Sequence, residues 1–147
     1  MLKSGPLAFL RNPRGGKVSL KVPSETRYIR KVSARILDSI SAGSIDEGRI
    51  FDIKLCIEEA VRNAIVHGNH SDKRLPVRVS YWIEADKLYI EVGDEGPGFD
   101  HKALPDPTSS GQIMKNSGRG VYLIKKLMDK VEFNDKGNKI TLVKDLR

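Results

Sequence analysis

One segment, residues 46–67, constrains this chain more than any other. At about 100° per residue, Ile50, Ile53, Ile57, Ala60, Val61 and Ala64 align as one apolar seam of a helix about six turns long. Lys54, Glu58 and Arg62 recur every four residues with alternating sign, the pattern of a solvated face worth a few tenths of a kcal/mol per pair. Glu59, Asn63 and His67 share that spacing but fall between the main seam and a second apolar strip, Leu55 and Val66. A carboxylate and a carboxamide bordered by apolar residues on both sides cost free energy unless each has a partner. Two readings follow: they satisfy each other or water at a core edge, or they serve a site. Glu58, one position earlier, reads as structural, and His67 as a helix-end residue complementing the dipole.

The elements around this helix define a layer for its seam. Residues 17–22 alternate like a half-buried strand, with Val18, Leu20 and Val22 apolar. Pro23 stops it, and Ser24 is placed to cap a helix whose stripe is Ile29, Val32, Ile36, Leu37 and Ile40. Residues 41–44 form a turn, and Gly68-Asn69 reads as the left-handed stop of the long helix. Residues 77–84 and 87–93 are strand-like, joined tightly through Ala85-Asp86. A third helix begins at Gly120, and strands near 130–134 and 139–144 meet at a turn containing Asp135, Gly137 and Asn138. No internal repeat is visible. The order predicts an α+β fold: a two-layer α/β sandwich with a mixed, mostly antiparallel sheet covered on one face by about three helices.

Composition narrows the setting. A chain of 147 residues suits one domain. The lone Cys56 excludes a disulfide framework and a multi-cysteine zinc site. No apolar run approaches the ~18 residues of a membrane span, and 7–10 is too short for a signal core, so a cytoplasmic protein is expected. Of the formal charge of +7, Lys3, Arg11, Arg14 and Lys17 contribute more than half. Residues 1–16, with two prolines and three glycines, read as a basic flexible extension ahead of a domain at 17–147. Direct nucleic-acid binding would rest on charge alone, because the single Trp82 and four tyrosines form no stacking array.

Two glycine motifs are candidates for the chemistry, although the first, taken alone, also reads as an acidic Gly/Pro turn. The strand ending at Val92 runs into Gly93-Asp94-Glu95-Gly96-Pro97-Gly98, where glycines let a flat ligand approach the main chain and Asp94 can accept from a purine's exocyclic amine. About two dozen residues with Pro97, Pro105 and Pro107 follow, a length typical of lids. Ser117-Gly118-Arg119-Gly120 then opens a helix, a ready anion site. It is neither a Walker A loop nor a dinucleotide fingerprint.

The ordered set E-x-x-x-N on a helix, D-x-G-x-G after a strand, lid, and G-x-G opening a helix resembles the GHKL superfamily of gyrase, heat-shock chaperone, histidine kinase and MutL ATPases. Within it, Ile57-Glu58-Glu59-Ala60-Val61-Arg62-Asn63-Ala64 and Gly118-Arg119-Gly120-Val121-Tyr122-Leu123-Ile124 resemble the bacterial anti-sigma-factor serine/threonine kinases of RsbW type. The resemblance spans roughly residues 18–145 and implies the Bergerat-type ATP-binding fold. It implies ATP and Mg²⁺ as cofactors, Glu59 as general base and Asn63 as the Mg²⁺ ligand. Asp94 would read adenine above Gly96 and Gly98, and Gly118 and Gly120 would face phosphate. Arg119 either meets phosphate or points to water. The implied partners are a sigma factor and a small anti-sigma-factor antagonist phosphorylated on serine, with a homodimer as a family expectation. Many relatives carry Gly-Thr in the last turn, where this chain has Gly137-Asn138. That departure motivates the alternative of a non-catalytic ATP-binding partner-switching module.

Overall fold

The computed structural model describes residues 8–11, 16–40, 45–98 and 116–147. Six strands pair in the order β1-β2-β3-β4-β6-β5. They are β1 (Ala8–Arg11), β2 (Val18–Val22), β3 (Val77–Glu84), β4 (Lys87–Gly93), β5 (Lys130–Phe133) and β6 (Lys139–Asp145). Helices α1 (Ile29–Ile40), α2 (Glu47–Asn63) and α3 (Asn116–Leu127) supply the second layer. The α+β two-layer fold is therefore as the alternation and stripes predicted.

Register explains where the core sits. Leu20 opposes Val79, and Val79 opposes Val92, so one face of the sheet presents a continuous apolar row. Leu20, Val79, Leu88, Ile90 and Leu142 are all 0–1% exposed. Against them lie Val32 and Ile36 from α1, Ile53, Ile57 and Val61 from α2, and Ile124 from α3. Each such side chain contributes about 1.5–3 kcal/mol on burial. The long helix starts where Asp46 accepts hydrogen bonds from the backbone N–H of Gly48 and Arg49 at 3.1 and 3.3 Å, a cap worth about 1 kcal/mol. Lys144 closes the other end of the helical layer by donating to the Leu127 carbonyl of α3.

β3 and β4 match the sequence reading to the residue. Ala85 and Asp86 connect them with φ of 51° and 62°, the paired left-handed geometry of a two-residue hairpin turn.

Several expectations are corrected. Among the described residues every strand pairing is antiparallel: β4 and β5, joined through α3, run the same way, but β6 lies between them, so no parallel pair forms and the sheet is not mixed. Residues 8–11, assigned to the flexible extension, form β1 and pair with the otherwise open edge of β2. Ser24 does not cap a helix: a 3-10 turn (Thr26–Tyr28) precedes α1, and the serine is buried and bonded elsewhere. The long helix widens into a π turn (Ala64–Gly68), in which the Asn69 N–H reaches the Ala64 carbonyl at 2.8 Å. The left-handed residues that follow are His70 and Ser71, not Gly68-Asn69. Most of the expected lid, residues 99–115, lies outside the described residues. Among the described residues no helix is long and apolar enough to cross a membrane.

Candidate active site

Glu59 and Asn63 stand one turn apart on α2, both half-buried, facing the first turns of α3. A Cβ added to Gly120 would lie 2.6 Å from Glu59 Oε2 and 3.0 Å from Asn63 Nδ2. The glycine is thus what lets α3 approach the polar pair. Glu59, Asn63, His67, Arg119 and Gly120 are among the residues that line one cleft of about 410 Å³. Arg119 is exposed there. Glu58, by contrast, is structural: its carboxylate accepts from Ser33 Oγ of α1 at 2.7 Å, tying two helices together.

The glycines of Ser117-Gly118-Arg119-Gly120 sit inside the beginning of α3 rather than before it, since the helix starts at Asn116. The first four N–H groups of a helix lack intrahelical partners, so Gly118 and Arg119 still lie at its electropositive end. Gly120 brings α3 up against Glu59 and Asn63 at a cost of roughly 1 kcal/mol relative to alanine in a helix.

Asp94 belongs to a second cluster at the far end of the π turn. Gly68 stands five positions beyond Asn63, at the end of that turn. Gly68 lies directly beneath the Asp94 carboxylate, where a Cβ would collide with it, and Gly96 lies against the Gly68 carbonyl. Asp94 accepts from the Gly96 N–H at 2.8 Å. Burial pushes its carboxyl above the usual aspartate range, partly opposed by that hydrogen bond. Gly98 has φ of +79° and its Cα faces the Lys136 carbonyl, so the loop closes onto the β5–β6 turn. The structure thus gathers the sequence-derived residues into two groups, Glu59/Asn63/Arg119/Gly120 and Asp94/Gly96/Gly98, at opposite ends of one helical extension.

Three residues were missed or undervalued. Gly68 supplies the floor under Asp94. Asn69 is 1% exposed and fully hydrogen-bonded. Asn138, the departure from Gly-Thr, donates its side-chain amide to the Asp94 carbonyl at 3.2 Å, and the Asp94 N–H donates to the Asn138 carbonyl at 2.9 Å. Asn134 braces this turn in turn, accepting from the N–H groups of Gly137, Asn138 and Lys139. The only available signal was the concentration of asparagines beside turns.

The donor set suits a hard cation. Glu59 and Asn63 offer oxygens to one cleft, and a small ion such as Mg²⁺ binds through one or two protein oxygens with waters and phosphates completing its shell. A second depression, about 330 Å³, opens on the helix-free face of the sheet. There Glu91 is held by Lys17 and Lys139, both at 3.1 Å, so its charge is already neutralised within the protein.

Comparison with known proteins agrees with this geometry. Residues 22–144 match the histidine kinase-like ATPase domain. The chain is 27% identical over 135 residues to the serine-protein kinase RsbW of Listeria monocytogenes serovar 1/2a, covering 87% of this chain and 86% of that protein. It is 27% identical over 136 residues to RsbW of Bacillus subtilis strain 168, covering 88% and 85%. With RsbW of Bacillus licheniformis the identity is 29% over the same coverage. A domain match over residues 22–144, most of the chain, means that this protein belongs to the histidine kinase-like ATPase family, in company with kinases of RsbW type.

Proposed function

We propose that the protein is a Mg-ATP-dependent anti-sigma regulatory serine/threonine kinase. It holds a sigma factor in one state and phosphorylates a serine on a small anti-sigma-factor antagonist in another, in the cytoplasm. The observation that carries this reading is the convergence of Glu59 and Asn63 on Gly120 in the first turns of α3, all lining one cleft. The names of the relatives supply the choice of serine as acceptor.

In this mechanism Asp94 accepts from the adenine amine, with Gly96 and Gly98 giving the base access to the main chain. The backbone N–H groups around Gly118 and Gly120, with Arg119, face the phosphates. Glu59 accepts the proton of the incoming serine hydroxyl as its oxygen attacks the γ-phosphorus. The bond from that phosphorus to the bridging oxygen breaks, and ADP carries away the electron pair. Asn63 would hold Mg²⁺ through its side-chain oxygen; the bound ion supplies neutralisation of charge on the phosphates.

Glu59→Ala tests the assignment. Phosphoryl transfer to the antagonist should fall about 10²–10⁴-fold while ATP affinity holds. Undiminished transfer removes Glu59 from the mechanism. The non-catalytic alternative drew on Gly137-Asn138, but Asn138 supports the Asp94–Gly96 loop through its amide, so this departure does not leave the loop unbraced. Transfer of labelled phosphate from ATP to a copurifying partner would exclude that alternative.

A further inference from the structure

Asn69 reads from sequence only as part of a helix stop, yet its side chain makes four hydrogen bonds beside Asp94. The two hydrogens of its Nδ2 are shared among three acceptors, Ser24 Oγ at 3.0 Å, the Leu75 carbonyl at 3.0 Å and the Pro76 carbonyl at 3.1 Å. Its Oδ1 accepts from the Glu95 backbone N–H at 2.8 Å. The orientation of the amide is fixed by chemistry. Ser24 gives its own proton to the Leu75 carbonyl at 2.5 Å, so a lone pair faces Asn69. Three acceptors on one side and one donor on the other admit only this placement of nitrogen and oxygen.

The Glu95 N–H belongs to the peptide that links Asp94 to Glu95, so the bond to Asn69 fixes the backbone from which the Asp94 carboxylate projects. A part-buried loop N–H must find a partner, and here that partner is a side chain rather than a strand. Gly68, the residue immediately before Asn69, lies under the same carboxylate. Residues 68 and 69 therefore form one unit: the first leaves room for Asp94, and the second holds its main chain.

We propose that Asn69 is the positioning residue of the base pocket, aligning Asp94 through the Glu95 N–H and anchoring that alignment to Ser24 and the 75–76 backbone. The proposal rests on the reading of Asp94 as the adenine contact. Serine at position 69 is too short to span Glu95 and the Ser24/Leu75/Pro76 group, so Asn69→Ser removes the link without adding charge.

The experiment measures two things on the full chain. Amide exchange at Glu95, without nucleotide, should accelerate at least about tenfold in Asn69→Ser, the scale of one lost buried hydrogen bond. Calorimetry should show adenosine and ATP binding weakened roughly tenfold, with inorganic tripolyphosphate within twofold of wild type. Equal weakening of ATP and tripolyphosphate, or unchanged exchange at Glu95, would overturn the proposal in favour of a general structural role. If exchange accelerates but wild-type protein itself binds no adenosine, the adenine reading of Asp94 fails while the loop-holding role stands. Should Asn69→Ser not fold, Ser24→Ala removes one acceptor of the same network and should weaken adenosine about threefold; no change there would also overturn it.

Discussion

Replacing Gly120 by alanine separates stability from catalysis, because the new methyl group meets only the ends of two side chains. Its Cβ would stand 2.6 Å from Glu59 Oε2 and 3.0 Å from Asn63 Nδ2. Ordinary contact begins near 3.4 Å, so the carboxylate must retreat by about 0.8 Å and the amide by about 0.4 Å. Both can move by side-chain rotation, so the fold is not strained. Alanine in place of a glycine inside α3 favours the helix by about 0.8–1 kcal/mol. For a chain of this size that corresponds to a rise of up to about 2–4 °C in Tm. The proposed general base, Glu59, is however displaced by nearly 1 Å, and a misplacement of that size costs on the order of 10² in rate. The assay pairs single-turnover phosphoryl transfer to the antagonist with thermal melting of the same preparation. A folded Gly120→Ala protein with wild-type transfer would refute the reasoning, as would a loss of transfer matched by a loss of folded protein.

Other perturbations follow from the same coordinates. Gly98→Ala places a methyl group into the Lys136 carbonyl at φ of +79°, where the nearest atoms are backbone rather than a flexible side-chain end; urea denaturation should show a loss of about 2 kcal/mol. Asp94→Asn should weaken ATP binding by roughly 1.5–3 kcal/mol in calorimetry. The apo protein should tell the opposite story. Burial raises the Asp94 carboxyl above its ordinary 3.8, so the folded state binds the proton more tightly than the unfolded chain. Its charge therefore costs stability as pH rises from 3.8 through the raised value, and that cost persists at neutral pH. A neutral carboxamide carries no such cost, so the apo Tm of Asp94→Asn at pH 7 should equal or exceed that of wild type; a clear drop would show that the charge itself is stabilising. Ala85→Asn should gain about 0.5–1 kcal/mol, because alanine is held at φ of 51° in a turn that favours asparagine; an unchanged denaturation midpoint would count against it.

The candidate site was legible where periodicity exposes a conflict. Glu59 and Asn63 were found because polar groups stood between two apolar strips, a local pattern that needs no partner to be seen. Asp94 and the glycines of Gly93–Gly98 were found because a strand ended in residues that open the backbone. The strand limits of β3 and β4 were equally visible, since alternation and a two-residue turn set both the face and the register. Asn69 was not legible. One asparagine after a glycine reads as a helix stop, and its four partners lie 6, 7, 26 and 45 residues away. The same limit applies to β1. Four residues, Ala8-Phe9-Leu10-Arg11, in a stretch with glycines and prolines on either side carry no strand signal of their own, and the otherwise unpaired edge of β2 recruits them.

Sequence by itself determined the seam, the stripes, the hairpin and the order of the three motifs, because each depends on residues within a turn or two of one another. Tertiary structure alone decided how close α3 comes to α2, which carboxylate Gly68 makes room for, and which side chain holds the Asp94 loop. Those are contacts between segments distant in the chain, set by the balance of packing and hydrogen bonding over the whole domain. The long helix that most constrained the fold is also where the two kinds of information meet. Its seam was readable from spacing, whereas only the fold brings Gly120 against Glu59 and Asn63 and sets Asp94 against Gly68 beyond them.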